Sequence, residues 1–598
     1  MKVNAKNVII DPKFILLFIL IFAIFLRLYF FVGFTTAVQD EGVYDGNARR
    51  AYDNISTHFK YLQRTYKDIE NEEVANPISI FPLRSLNIYP VTVMYRLFGI
   101  NDYSIVLWPL ICSLLGIVVI YGIGKLILNE RAGLVAALIL SFFPYDVINA
   151  TRLEVDVPMT FFMALSVFFF LKGERLYGRG LYYVNYGVYS AYNRITKIFK
   201  IGDKEKHKDK DKIKVGKSSI YYLLSGIALG LGYLCKISAV FLLVFFFTYL
   251  IFKRRARKEY LYCVIGFLLI FSIEATYLYS VTGNPILHYE VASKVGRYYI
   301  YEAEINQRMI PQIDIFGIVR ILDAGRLTGY GVFDKLFYLP MLLDTNPTGV
   351  VPKQISYGFP TLGYFYYLVL LAIPYLLIRG LLIKRERSVY VPVLWLITLY
   401  LYLEFGPRNI QIITENASPM IQITTIWEVL RFSSLLIFPL ILTISCFLTI
   451  NKNKIMRVLS VFIICFLLLT SISIIGKSRE TLRDCVSDVR EANTFFENNE
   501  EKDIYIDLFG AGELEIFSGY KLRSGDRLRV IGPVNDPMTI KDAYVVLGGA
   551  RADIAGRALY YPPWVYDPTP TDWELLMTVP CKPSRIRDSC LRIYYAPP

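Results

Sequence analysis

The sequence predicts an α-helical polytopic membrane protein of about eleven transmembrane helices, with a small extracytoplasmic α/β domain at its C-terminus. Three observations lead there. Hydrophobic residues make up 54% of the 598 and aromatics 15%, and the mean hydropathy of +0.41 lies above the range of a soluble enzyme. Apolar runs of helical length recur through the first 475 residues, and Lys and Arg gather in every second connection between them.

A hydrocarbon core of about 30 Å takes roughly 20 apolar residues as a helix. The runs that approach this are Phe14 to Phe34, Ser104 to Leu128, Ala132 to Ile148, Pro158 to Leu171, Tyr221 to Leu234 and Ser238 to Phe252. Tyr260 to Val281, Thr361 to Ile378, Val389 to Leu403, Ser433 to Ile450 and Ile455 to Ile475 complete the set. They lack the two-residue alternation of a barrel, so helices are the way their backbone groups find partners in lipid.

Basic clusters set the orientation. With Lys2, Lys6 and Lys13 cytoplasmic, the connections beginning at Lys172, Lys253, Arg379 and Lys452 fall on the same side and are all basic. Lys204 to Lys217 reads as a solvated cytoplasmic tether, and topology accounts for most of the net charge of +14, so nucleic acid is not implied. The regions 38–102, 149–157, 282–360 and 404–431 are then external. The first apolar run is long and lacks Ala/Gly/Ser cleavage chemistry after it, so it is expected to be a span and not a cleavable signal peptide. The sequence thus divides into a transmembrane unit, 1–475, and an extracytoplasmic unit, 476–598, in a cell membrane crossed many times.

In the second unit Asp503 to Asp507 and Ala543 to Leu547 alternate like strands between Gly and Pro turns. Five cysteines, Cys112, Cys235, Cys263, Cys446 and Cys465, lie in apolar spans as small hydrophobes. Cys485, Cys581 and Cys590 lie outside, where a Cys581 to Cys590 disulfide suits an oxidising exterior. Three histidines and no Cys-x-x-Cys pair argue against zinc.

Chemistry concentrates at the external membrane surface. Asp40 and Glu41 follow the first span, and Arg152, Glu154 and Asp156 precede the fourth. Ionisable groups this near hydrocarbon are costly and mark function. Asp156 also suits a helix N-cap two residues before Pro158, but capping leaves Arg152 without a reason. Lys236 interrupts an apolar stretch between two half-length spans, either to meet an anion or to snorkel. Arg27, late in the first span, calls for an internal acid. Gly226 and Gly230 have the spacing of close helix packing, and Tyr298 to Tyr301 suit either sugar stacking or interfacial anchoring.

The order of these features resembles the GT-C glycosyltransferases. Asp40-Glu41 follows the first span, then come Tyr89 to Gly99 and Arg152 to Thr160, and Gly226 to Lys236 forms a Gly-rich helix ending in lysine. The resemblance is nearest to the branch of protein O-mannosyltransferases and lipid A aminoarabinose transferases, and covers roughly the first 450 residues. It implies transfer of one sugar from a polyprenyl- or dolichyl-phosphate carrier to a glycan, lipid or protein acceptor at the outer face, with inversion. By the same resemblance Asp40 is the base that takes the acceptor proton, while Glu41 shares that task or holds acceptor or sugar. Asp156 binds the donor sugar or steers the base. Lys236, Arg431, Arg152 and Arg408 are the cations for the donor phosphate.

No Trp-Trp-Asp-Tyr-Gly signature is present, and the Asp-x-Asp at Asp209 to Asp211 sits in the cytoplasmic Lys run, which disfavours en bloc transfer to asparagine. No cofactor is required, although Asp40, Glu41 and Asp156 are of the type that holds a divalent cation. The rival class is a transporter or flippase of lipid-linked sugars. That class is built on matched repeats and mid-membrane acids, neither of which this chain offers.

Overall fold

The computed structural model describes residues 11–31, 39–70, 77–176, 208–253, 257–295, 363–382, 388–405, 407–415, 418–425, 433–451, 453–499, 502–506, 528–530, 539–547, 572–578 and 592–598. Described helices lie on all eleven expected spans. Among them six are long and apolar enough to cross a membrane and four are shorter apolar helices, while the third span is split in two.

Local chemistry sets the boundaries. Helix α1 (Pro12–Phe30) starts where the Asp11 carboxylate accepts the Lys13 N–H at 2.9 Å, with Pro12 in the first turn. Four helices follow: α2 (Gln39–Asp53), α3 (Ile55–Glu70), α4 (Ser85–Phe98) and α5 (Asp102–Ile127). Gly99 ends α4 at φ 74°, and a capping box between Asn101 and Ser104 starts α5. The third expected span is two helices, α6 (Glu130–Phe142) and α7 (Pro144–Asn149), because the chain is extended at Phe143 before Pro144. Helix α8 (Asp156–Leu176) carries the fourth span.

Helix α9 (Lys208–Cys235) begins inside the Lys run. Residues 208–217 are therefore helical where a tether was expected, and Asp209 and Asp211 fall in the first turn, where the helix dipole favours acids. Next come α10 (Leu242–Lys253), α11 (Leu261–Thr282), α12 (Gly363–Leu382), α13 (Tyr390–Phe405), α14 (Ile437–Ile450) and α15 (Lys454–Asn498). A Cβ on Gly226 would stand 1.8 Å from the Cys263 carbonyl oxygen and one on Gly266 2.3 Å from that of Leu223. The small residues of α9 thus serve backbone contact with α11.

The transmembrane core joins α1, α5, α6, α8, α9, α10 and α12 to α14 around residues such as Ile120, Phe245, Trp395 and Ile441. Arg27 is buried within it and donates to Asp146 at 2.6 Å, to Ser113 at 2.9 Å and to the carbonyls of Ala23 and Ser141. A second core unites α2, α3 and α4 with Leu153 and Val155, with Leu278 and Val281 at the end of α11, and with Leu287 and Val291 in the helix over 287–295. Residues 39–70 and 77–102 thus form a packed helical layer, not a loop, over one end of the bundle.

The other end of α8 is marked by buried Glu174, which meets Lys253, Arg257 at 3.4 Å and the hydroxyls of Tyr222 at 2.6 Å, Tyr260 at 2.8 Å and Tyr249 at 3.2 Å. At 1.5 Å rise per residue, Asp156 and Glu174 stand about 27 Å apart along α8.

An antiparallel hairpin of β1 (Pro407–Glu415) and β2 (Ser418–Thr425) follows α13. Helix α15 runs through residue 476 without a break, its first half apolar and its last turns packing Ala492 and Phe496 against a sheet. That sheet has the order β4-β3-β5-β7-β6, with β3 (Asp503–Ile506), β4 (Leu528–Val530), β5 (Ala543–Leu547), β6 (Glu574–Thr578) and β7 (Arg592–Ala596). Strand β3 pairs in parallel with β4 and β5, and the remaining pairs are antiparallel. Cys581 and Cys590 lie outside the described residues, as does the side chain of Cys485.

Candidate active site

The site forms where the helical layer meets the start of α8. The backbone after α7 turns tightly: Ala150 N–H bonds Asp146 O at 2.8 Å and Glu154 N–H bonds Arg152 O at 2.8 Å. Leu153 and Val155 insert into the second core, so Arg152, Glu154 and Asp156 alternate with apolar anchors that fix the link.

Arg152 reaches 111 positions back to Glu41, its Nε donating to Oε1 at 2.5 Å, and approaches Glu154 at 3.4 Å. Glu41 is fully buried and Arg152 nearly so. Burial alone lowers the guanidinium's pKa, but Glu41 and Glu154 outweigh it and hold it above its ordinary value. Arg152 is therefore a permanent cation with a bound carboxylate.

Lys236 lies at the break after α9, its backbone extended at φ −161°, ψ 130°. Its ammonium donates to Asp156 Oδ1 at 2.8 Å, and both side chains are about nine-tenths buried. Asp156 Oδ2 accepts the Tyr145 hydroxyl at 3.2 Å. Tyr145 lies close enough to Asp156, Glu154 and Arg152 to interact electrostatically with all three, so it joins the two ion pairs into one cluster. Ser238 and Met159 border it, the hydroxyl 3.2 Å from the sulfur.

The structure thus brings together four of the seven residues singled out from the sequence: Glu41, Arg152, Asp156 and Lys236. Asp40 lies in the first turn of α2, directly before Glu41, and its side chain lies outside the described residues. Arg408 is on β1 and its side chain is likewise undescribed; Arg431 and Tyr298 to Tyr301 fall outside the described residues altogether. The carboxylate of Asp156 contacts Lys236 and Tyr145, an engagement that a helix cap does not require.

Sequence reasoning missed Tyr145, Arg84 and the acid Asp45. Arg84 bonds the Tyr44 hydroxyl, lies over the Phe81 ring at 4.7 Å and is near enough to Cys235, the neighbour of Lys236, to act on it electrostatically. Asp45 pairs with Arg49 at 2.8 Å and accepts from Tyr95. Burial raises its pKa against the opposing pull of Arg49 and Tyr95. Asp45 and Arg49 are four apart on α2, a spacing visible in sequence. Nothing in the sequence singles Tyr145 out from the other 45 tyrosines.

Residues 87–199 match the model of the dolichyl-phosphate-mannose-protein mannosyltransferase family, a stretch that holds Tyr145, Arg152, Glu154 and Asp156. The chain resembles that family. The likeness to GT-C glycosyltransferases read from the sequence therefore stands. Among solved structures, ArnT from Cupriavidus metallidurans is similar at 12% identity and a TM-score of 0.44, covering 97% of this chain and 98% of that one. The same protein bound to undecaprenyl phosphate gives 13%, 0.41, 96% and 97%. The Archaeoglobus fulgidus oligosaccharyltransferase tethered to an acceptor peptide gives 11%, 0.45, 90% and 69%. No curated protein matches the chain.

Proposed function

We propose that this membrane protein is a glycosyltransferase that moves one sugar from a polyprenyl- or dolichyl-phosphate carrier to an acceptor hydroxyl at the outer membrane face, with inversion. The observation that carries this reading is the pairing of Asp156 with Lys236 beside Glu41 and Arg152 at one end of α8. The match of residues 87–199 to a family named for a dolichyl-phosphate sugar supports the donor class.

In this reading the acceptor oxygen attacks the anomeric carbon as the carbon–oxygen bond to the phosphate breaks, and the electron pair leaves with the phosphate. The hydroxyl proton passes to a carboxylate. Asp40 is the base that the resemblance implies, while Glu41 is held by Arg152 and Asp156 starts paired with Lys236. Glu41 anchors the first turn of α2 and so positions its neighbour. Lys236 turns from Asp156 to the phosphate as charge develops there, with Arg152 as a fixed cation behind it. Asp156, released from Lys236, faces the sugar hydroxyls with Tyr145 still bound.

The test is turnover of labelled polyprenyl-phosphate sugars by the purified full chain in lipid nanodiscs. Release of polyprenyl phosphate with at least one donor, abolished in Lys236→Met, is the expected result. No release with any hexose, pentose or amino-sugar donor contradicts the reading and favours a lipid-linked sugar flippase.

A further inference from the structure

A groove of about 730 Å³ opens on the layer that carries the candidate site, walled by α3, the last turn of α11 and the helix over 287–295. It is separate from the Asp156 cluster, and none of the residues discussed above as catalytic lines it. Its walls are held together without a ligand. Gln63 Nε2 donates to the Val281 carbonyl at 2.6 Å, and Lys294 Nζ to the Ile69 carbonyl at 2.9 Å. Asn284 fixes the third wall, donating to Glu290 at 2.7 Å and accepting the Ile286 N–H at 3.0 Å. Gly283, at φ 80°, lets the chain leave α11 sharply enough to close the groove.

The lining mixes two kinds of surface. Tyr279, 64% exposed, presents an open aromatic face, and the buried Tyr66, Ile69, Leu287 and Val291 form the apolar floor beneath it. Amide, hydroxyl, ammonium and carboxylate groups from Gln63, Lys67, Thr282, Asn284 and Glu290 stand between them. Gln63, Thr282 and Asn284 already bond within the wall, but an apolar ligand offers nothing to the Lys67 ammonium or to the Glu290 oxygen that Asn284 does not occupy. A phosphate meets the Glu290 carboxylate. A sugar chain suits both, since its C–H faces lie on tyrosine and aliphatic carbon while its hydroxyls donate to Glu290 and accept from amides and Lys67.

We propose that this groove binds a neutral oligosaccharide. Leu153 and Val155, which flank Glu154 in the candidate site, belong to the same core as Tyr66, Leu278 and Leu287, so a glycan held here lies on the reacting side of the protein. The binding itself does not depend on the transferase reading.

The experiment uses the full chain in nanodiscs, without any donor, and saturation-transfer NMR against neutral di- to tetrasaccharides of mannose, glucose, galactose and N-acetylglucosamine. At least one is expected to bind. Tyr279→Ala and Glu290→Gln each weaken it about tenfold, the scale of losing one anchoring contact, while Asp156→Asn leaves it unchanged. Both variants change partly exposed side chains, and their melting temperatures are read alongside to confirm folding. Absence of binding to every saccharide overturns the proposal. So does binding indifferent to both groove variants, lost in Asp156→Asn, or displaced by inorganic phosphate.

Discussion

Lys236 and Asp156, 80 positions apart, meet at 2.8 Å in a buried pair that ties the break after α9 to the first turn of α8. Removing one partner leaves the other charge buried alone, which costs about 3–5 kcal/mol in such sites. Lys236→Met and Asp156→Asn are each expected to lower the melting temperature in nanodiscs. The double variant should recover much of the loss while transfer stays abolished. Recovery is read as a coupling energy in a double-mutant cycle.

Arg152 holds Glu41 through Nε and a second guanidinium nitrogen, a planar grip that an ammonium cannot reproduce. Arg152→Lys should therefore keep the charge yet lower kcat/KM by about 10²-fold, the scale of losing an oriented charge contact. Glu41→Gln is expected to act mainly on kcat, because it loosens the turn that positions Asp40. A steady-state comparison of the two variants separates these effects.

His58 on α3 is wholly buried, and burial, aided by Arg50, lowers its pKa from 6.5 to about 4. In the fold it is neutral where the unfolded chain takes a proton. Its contribution is thus constant above pH 6.5 and turns unfavourable as pH falls from there toward 4, by up to about 1.4 kcal/mol per pH unit. Chemical denaturation of the wild type between pH 7 and 4.5 should show this loss, and His58→Gln should flatten it.

A divalent cation at this site has to displace Lys236 from Asp156 or Arg152 from Glu41. Activity is accordingly expected to survive EDTA. Complete loss with chelator, restored by one added ion, contradicts that expectation.

At Gly226 a methyl group would overlap the Cys263 carbonyl. Gly226→Ala should force α9 and α11 apart and cost about 1–3 kcal/mol, read as a lower melting temperature. Gly46, whose Cβ would meet nothing within 4 Å, serves as the control.

The sequence made the spans legible because lipid demands long apolar helices, and Lys236 legible because a lone ammonium in an apolar stretch needs a reason. Arg27 was legible in the same way, and Asp146 answers it. The helical layer was harder to read. Leu62, Tyr66 and Ile69 bury one face of α3 at helical spacing, but polar residues crowd between them and make the segment resemble a loop. The hairpin of β1 and β2 went unread for want of a strong turn signal and because its alternation, Ile410-Gln411-Ile412 and Ile421-Gln422-Ile423, is short and broken by Ile413 and Met420. Tyr145 and Arg84 depend on neighbours distant in the chain, and no local pattern marks them.

The most direct single measurement is single-turnover sugar transfer from the best polyprenyl-phosphate donor by wild type and Asp40→Asn, with donor binding measured in parallel. The expected result is unchanged donor binding with transfer slowed by about 10²–10⁴-fold, the range for loss of a general base. Equal transfer rates in the two proteins contradict the assignment of Asp40, and absence of transfer in the wild type contradicts the glycosyltransferase itself.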